Sequence, residues 1–365
     1  MRRTRVLLLS QAWHSYSRDS SPIPGLVLPG GPWHGPVFPD LSQPREQAAN
    51  ATLGFEKLLV LSTRPSWRTR GLQAAAKLTG LEFTIPPQPP NSKATVEAFM
   101  AMSPEGEKSR PALGSAAAWL AHIDLLKHVV SSDLETAFIV EDDVDWDVRI
   151  KDQLRLVSDN VRAFRHRKIN VTDEVVVQDN NNDDDADSDD NTPYGTDWDV
   201  LWLGHCGSLG HDDDKHRKPL PYADESRVPG DKFTGWSRKY FLEQTPEGHR
   251  VVQESRMTIC TFGYAVSRQG VLNVLAQVMK GGYEAFDVAL HAHCSEGRLK
   301  CVTVSPTVFH HYEPSAAHGY VSPVREGDGK GKAKSENEFE GFMGTTANIV
   351  ESARCHALWG KSCLP

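Results

Sequence analysis

The stretch TAFIVEDDVDWDV, residues 136–148, places five acids within seven positions directly behind an apolar run. They are Glu141, Asp142, Asp143, Asp145 and Asp147. The apolar part reads as a central strand, and its acids then sit at the carboxyl end, where open α/β sheets bind ligands. Such a cluster can hold a divalent cation against a phosphorylated ligand. It can also do acid–base work, or be a hydrated turn. Residues two apart in a strand point the same way. Glu141, Asp143 and Asp145 therefore share one face if the extended conformation persists, with Asp142 on the other. Crowded carboxylates are costly unless a cation neutralises them.

Upstream, GSAAAWLAHIDLLKHVV reads as a helix capped by Ser115, with Ala117, Leu120, Leu125 and Val129 on or near one face. Further back, Leu58–Leu61 is a short apolar strand. Trp67–Leu78 has helical spacing and ends at Gly80, and Leu81–Ile85 is a second strand. That β-α-β succession predicts an α/β fold with a parallel sheet. Residues 86–111 read as a polar connection. Downstream, RIKDQLRLVSDNVRAF is a helix and Val200–Leu203 a strand, with Trp202 in the core. Asp197 and Asp199 open that strand, and Asp199 is placed at the edge of the site. Residues 208–250 read as long loops. MTICTFGYAVSRQGVLNVLAQV gives a strand, a turn and a helix; a short helix, a strand and a loop follow up to Pro314.

Three segments lack such patterning. Residues 1–52 read as a poorly ordered leader rich in Ser, Pro, Gly and His. Residues 178–193 read as a disordered acidic insert: Asp179–Asn191 contains only Asp, Asn, Ser and one Ala, its like charges repel, and nothing there can build a core. That tract lacks the glycine and final Glu of an EF-hand calcium loop. Residues 313–365 read as a surface tail. The domain proper is then 53–312.

The net charge of −8 leaves no basic surplus for phosphates, which argues against a nucleic-acid binder. No run approaches the roughly 20 apolar residues of a membrane-spanning helix. The start, MRRTRVLLLSQAW, resembles a signal peptide, but its apolar run Val6–Leu9 is short for one. Membrane association is left open on that pattern. The six cysteines contain no CxxC pair, and their even number suits disulfides in an oxidising compartment. Two glycosylation sequons begin at Asn50 and Asn170.

Four blocks occur in an order that resembles glycosyltransferase family 25, which includes lipopolysaccharide and collagen galactosyltransferases and has fungal members. They are LLVLSTRPSWRTRGLQAAAKLTGLEF, ALGSAAAWLAHIDLLKHVV, FIVEDDVDWDV, and CTFGYAVSRQGVLNVL followed by FDVAL and VSPTVFHHY. The resemblance covers about residues 56–312. It departs from the pattern at Ala118-Trp119, where many members carry Ser-His; His122 lies one turn on.

The resemblance implies a GT-A-like open, mostly parallel sheet flanked by helices in a single domain. It implies an inverting transferase that uses a UDP-sugar donor, by family habit UDP-galactose, and Mn²⁺ or Mg²⁺. The acceptor would be a glycan or glycoprotein. Asp143 is the first choice as metal ligand, with Glu141 and Asp145 behind it. His310 or His311 can complete the metal shell, but adjacent strand residues face opposite ways, so at most one does. Asp142 is assigned to the ribose or donor sugar, and Arg64 and Arg68 to phosphate or ribose. Gly204 is assigned to the donor-pocket wall. Asp287 is the candidate base for the acceptor hydroxyl and Glu284 the second. For Asp287 the plain alternative is an acid bonding the amides of a helix start. Cys206 is expected to pair with Cys260, Cys294 with Cys301, and Cys355 with Cys363. The expected compartment is the Golgi or endoplasmic-reticulum lumen. The other reading is a glycan- or nucleotide-binding protein of the same fold without turnover.

Overall fold

Alternation along the apolar strands decides the architecture. Leu58, Val60, Phe138, Val140, Leu201 and Leu203 are buried in one hydrophobic cluster, while Leu59, Ala137, Ile139, Val200 and Trp202 are buried in another. Strands that are apolar on both faces need a layer of helices on each. The computed structural model describes residues 40, 42–103, 109–167, 191–211, 213, 215–314, 318–332 and 336–365.

The first half contains α1 (Pro44–Gln47), β1 (Lys57–Leu61), α2 (Trp67–Thr79), β2 (Phe83–Thr84), α3 (Lys93–Ala101), α4 (Leu113–Ser131), β3 (Thr136–Glu141), β4 (Val144–Trp146) and α5 (Ile150–His166). Then come β5 (Val200–Gly204), β6 (Gly207–Leu209), β7 (Leu220–Ala223), α6 (Arg238–Gln244), β8 (His249–Glu254), β9 (Arg256–Ile259), β10 (Gly263–Ser267), α7 (Arg268–Val278) and α8 (Phe286–Ser295). The chain closes with β11 (Cys301–Ser305), β12 (Phe309–Glu313), α9 (Pro323–Gly327), β13 (Thr345–Thr346) and α10 (Ala353–Trp359).

The main sheet has the order β2-β1-β3-β10-β5-β11-β8-β7. It is mixed: β10 and β8 run against the other six strands of that path. The first cluster packs under α2 and α5, the second under α4, α7 and α8. Residues 40–365 form one compact unit.

Several boundaries differ from the sequence reading. Residues 1–39 of the expected leader lie outside the described residues, but α1 follows them and Ala48 and Leu53 are fully buried. Of the acidic insert, 178–190 lie outside the described residues. Just beyond it, Tyr194 stacks on Phe55 at 4.7 Å and donates to the Leu53 carbonyl at 2.6 Å. The connection 86–111 holds α3, whose Val96 and Phe99 are buried. The loops 208–250 hold β7, α6 and the start of β8. Ser115 does not cap α4. Ala112 holds that position, and Ser115 instead bonds Asp328 through its N–H at 2.9 Å and its hydroxyl at 2.8 Å.

The largest difference is the tail. It is not a surface appendage: β13 pairs with β12, α10 packs on α2, and Cys355 and Arg354 are wholly buried. Local polarity hid this, because the segment's buried groups are satisfied by partners some 200 positions away.

All three expected disulfides form: Cys206–Cys260, Cys294–Cys301 and Cys355–Cys363. They suit a lumenal or extracellular setting. Among the described residues no helix is long and apolar enough to cross a membrane.

Gly204 ends β5 against Gly263 of β10, and a Cβ on Gly204 would meet the Gly263 nitrogen at 2.5 Å. Backbone cannot yield as a side-chain tip can. Gly204→Ala is therefore expected to cost about 1–3 kcal/mol by overpacking, read in urea unfolding. An unchanged midpoint would show that the two strands can part freely.

Candidate functional site

The acidic run does not continue as one strand. β3 stops at Glu141, Asp142 and Asp143 turn, and the chain restarts as β4 beside β12. The Tyr312 N–H closes the turn on the Asp143 carbonyl at 2.9 Å. The turn breaks the period of two, and this divides the five acids into two groups.

Glu141 and Asp143 come together with His311 of β12. The His311 Nε2 lies 2.9 Å from a Glu141 oxygen and 3.5 Å from an Asp143 oxygen. One potential ligand atom from each of the three lies within 4.8 Å of the others. Their side chains are 26%, 12% and 22% exposed, so they are recessed yet reachable. Arg68, in the first turn of α2, sets its Nε 3.8 Å from Asp143 and its guanidinium over Trp67. Asp142 accepts from the Ser62 hydroxyl at 2.7 Å, just past the end of β1. All of these stand at one end of the sheet, beyond the carboxyl ends of β1 and β3.

Asp145 and Asp147 serve the tail instead. Asp145 is fully buried and does not join Glu141, Asp143 and His311. Its carboxylate accepts from Thr346 Oγ1 at 2.6 Å, Trp146 N at 2.8 Å, Arg354 N at 3.0 Å and the Ser352 hydroxyl. Its neighbouring cysteines, Cys355 and Cys363, are joined to each other. Asp147 accepts from Arg149 and from the Glu351 N–H.

His310 also leaves the proposed shell. It packs edge-on against Phe262 at 4.9 Å, and burial lowers its pKa to about 3. The alternation of β12 sends only His311 to the acids.

Burial and mutual repulsion dominate the electrostatics. Burial raises the Glu141 pKa; His311 opposes this, while Asp143 and Asp287 add to it. Burial and then Asp143 push Asp142 up to about 6. Burial alone would lower the His311 pKa, but Asp143 and Glu141 raise it to about 9. The set therefore favours positive charge between its carboxylates.

The remaining assignments divide. Asp287, in the first turn of α8, accepts from the Cys260 N–H at 2.8 Å and feeds the field at Glu141. Glu284 is exposed in the loop before α8, and Arg64 is exposed in the loop after β1. Gly204 does stand at this end of the sheet, with a packing reason for being glycine. Asp199 is at the opposite end, where it accepts from Lys300 N and Asn273. Two cavities of about 260 and 380 Å³ lie elsewhere, and neither is lined by the acidic turn.

Sequence reasoning missed three supports. Ser62 carried a usable signal, its position at a strand end. Thr261 lies 3.4 Å from both Glu141 Oε1 and His122 Nε2. Arg354 had no local signal: it donates to the carbonyls of Asp142 and Val144, both at 3.1 Å, from beneath the turn.

His122 is 3% exposed, bonds Tyr264 at 3.0 Å and stacks on Phe286. Burial lowers its pKa from 6.5 to about 3, and burial likewise lowers that of His205 to about 4. The unfolded chain thus binds protons that the folded chain refuses. The stability present above pH 6.5 is lost as pH falls, through about 4 for His205 and about 3 for His122. Each group contributes up to about 1.4 kcal/mol per pH unit; His310 adds to the loss and the raised Asp142 opposes it, so a net slope near 2–3 kcal/mol per unit is expected below pH 6. Urea unfolding at pH 6.5, 5.5 and 4.5 measures it. A His205→Gln variant should have a shallower slope, and a flat profile in the parent protein would contradict the assignment.

No family model matches this chain, and no curated protein matches it in sequence.

Proposed function

We propose that the chain is an inverting, metal-dependent glycosyltransferase with a GT-A-like fold, of the kind found in glycosyltransferase family 25. Its donor is a UDP-sugar, by family habit UDP-galactose, and its acceptor a glycan or glycoprotein in the secretory-pathway lumen. The observation that supports this most is the meeting of Glu141, Asp143 and His311 at the carboxyl end of a central strand.

Two carboxylates and one imidazole suit Mn²⁺, and Mg²⁺ less well because it prefers oxygen. Glu141, Asp143 and His311 would hold the ion. When bound, it supplies Lewis acidity that offsets charge on the departing diphosphate. Arg68, beside Asp143, bonds a phosphate oxygen. Asp142, steadied by Ser62, takes a ribose or sugar hydroxyl. Asp287 receives the proton of the acceptor hydroxyl, held in place by its bond from Cys260 N. Arg354 and Asp145 fix the turn from below.

A panel of UDP-sugars incubated with and without Mn²⁺ tests this. UDP release that depends on Mn²⁺ and disappears with chelator is expected. Neither binding nor release across the panel would overturn the reading. A second reading, donor binding without turnover, is favoured by one feature. Trp119 stands in the helix where family members carry a polar pair, and it is fully buried against Phe99 and Phe286. Calorimetric binding of UDP-sugar without release of UDP would select that reading.

A further inference from the structure

Outside this site, the loop between β6 and β7 gathers a second set of ligating groups. His211, Asp213 and His216 each offer an atom within 4.8 Å of the others. The loop is tied at both ends. At its start, Gly210 N donates to the Tyr240 hydroxyl at 3.0 Å, and Arg256 donates to the Gly210 carbonyl at 3.4 Å. At its end, Arg217 pairs with Glu254 at 2.9 Å and donates to the Arg167 carbonyl at 3.0 Å.

Within the loop, one oxygen of Asp213 accepts from Lys215 N at 2.9 Å and lies 2.6 Å from His216 Nδ1. An ion at this site would take the place of the proton that Asp213 and His216 share, so that both atoms turn to it as ligands. The two rings stack at 3.6 Å and 14°.

We propose that His211, Asp213 and His216 form a site for a borderline divalent transition metal, Zn²⁺ or Cu²⁺. Two imidazoles and one carboxylate match those ions, whereas Mg²⁺ and Ca²⁺ take oxygen. Ligand atoms about 2.0–2.1 Å from a tetrahedral ion stand roughly 3.4 Å apart. One ring turns out of the stack to reach that spacing. Three protein ligands leave a fourth position open. Both histidines also line the cavity of about 260 Å³, so the ion borders it beside Arg165 and Lys300. This site is independent of the acidic turn and of the proposed transferase activity.

The test is calorimetric titration of the full chain with ZnCl₂, together with Cu²⁺ electron paramagnetic resonance. One Zn²⁺ is expected on the loop. His211→Ala/His216→Ala should weaken it at least about 100-fold, and Asp213→Asn about 10–100-fold. Asp143→Asn should leave it intact. The Cu²⁺ spectrum should show coupling to two nitrogens and lose it in the double variant, whose circular dichroism and melting should match the parent. Equal Zn²⁺ binding by parent and double variant would overturn the proposal. So would loss of Zn²⁺ only in Asp143→Asn, or no Zn²⁺ binding by the parent.

Discussion

Asp145→Ala is expected to destabilise the protein by about 3–5 kcal/mol, the range for breaking a buried charge network by removing one partner. The carboxylate is fully buried and accepts four hydrogen bonds, two from hydroxyls and two from backbone amides. Removal leaves the hydroxyls of Thr346 and Ser352 and the Arg354 amide buried without an acceptor, and each such orphan costs about 1–3 kcal/mol. It also removes the nearest counter-charge of the buried Arg354, whose pKa burial already lowers and whose main electrostatic support is Asp145. The segment around α10 should loosen first, because Thr346, Ser352 and the Arg354 amide all lose their shared acceptor there. Urea unfolding reads the total, and amide hydrogen exchange across 345–363 reads the local effect. A loss below about 1 kcal/mol, with protected amides in that segment, would show that the tail stands without this anchor.

Asp143→Asn, only two residues away, should do the reverse. Its carboxylate is recessed but reachable, and it lies among Glu141, Asp142, Arg68 and His311. Neutralising it removes repulsion on Asp142 and attraction for His311, opposite effects that should leave stability within about 1 kcal/mol. Donor binding in the presence of Mn²⁺ should fall by at least about 100-fold, since a cation loses one of two anionic ligands. Turnover should fall with it. Donor affinity and hydrolysis, each measured with Mn²⁺ and with chelator, separate this from a folding defect. Near-parental activity would place the chemistry elsewhere.

This contrast marks how far the sequence could be read. The apolar strands, the α/β layering and the pairing of all six cysteines were legible, because periodicity and nearby strand ends carry that information. The alternation of β12 also separated His311 from His310. The division of the acids was not legible. Alternation placed Glu141, Asp143 and Asp145 on one face, but the turn at Asp142–Asp143 resets the phase. Glu141 and Asp143 meet through that turn, while Asp145 points to the tail. Nothing local distinguishes a carboxylate awaiting a cation from one that bonds Ser352 and Thr346 across more than 200 positions. The buried tail escaped for the same reason: it is polar in sequence because its polar groups are partnered.

The central claim is that Glu141, Asp143 and His311 together hold a divalent ion for a nucleotide diphosphate. Crystals soaked with MnCl₂ and UDP, with anomalous data collected near the manganese edge, test it most directly. The account predicts a manganese peak bonded to those three side chains, with a diphosphate oxygen as a further ligand and Arg68 alongside. A peak only at other residues, or UDP bound away from the acidic turn, would contradict it.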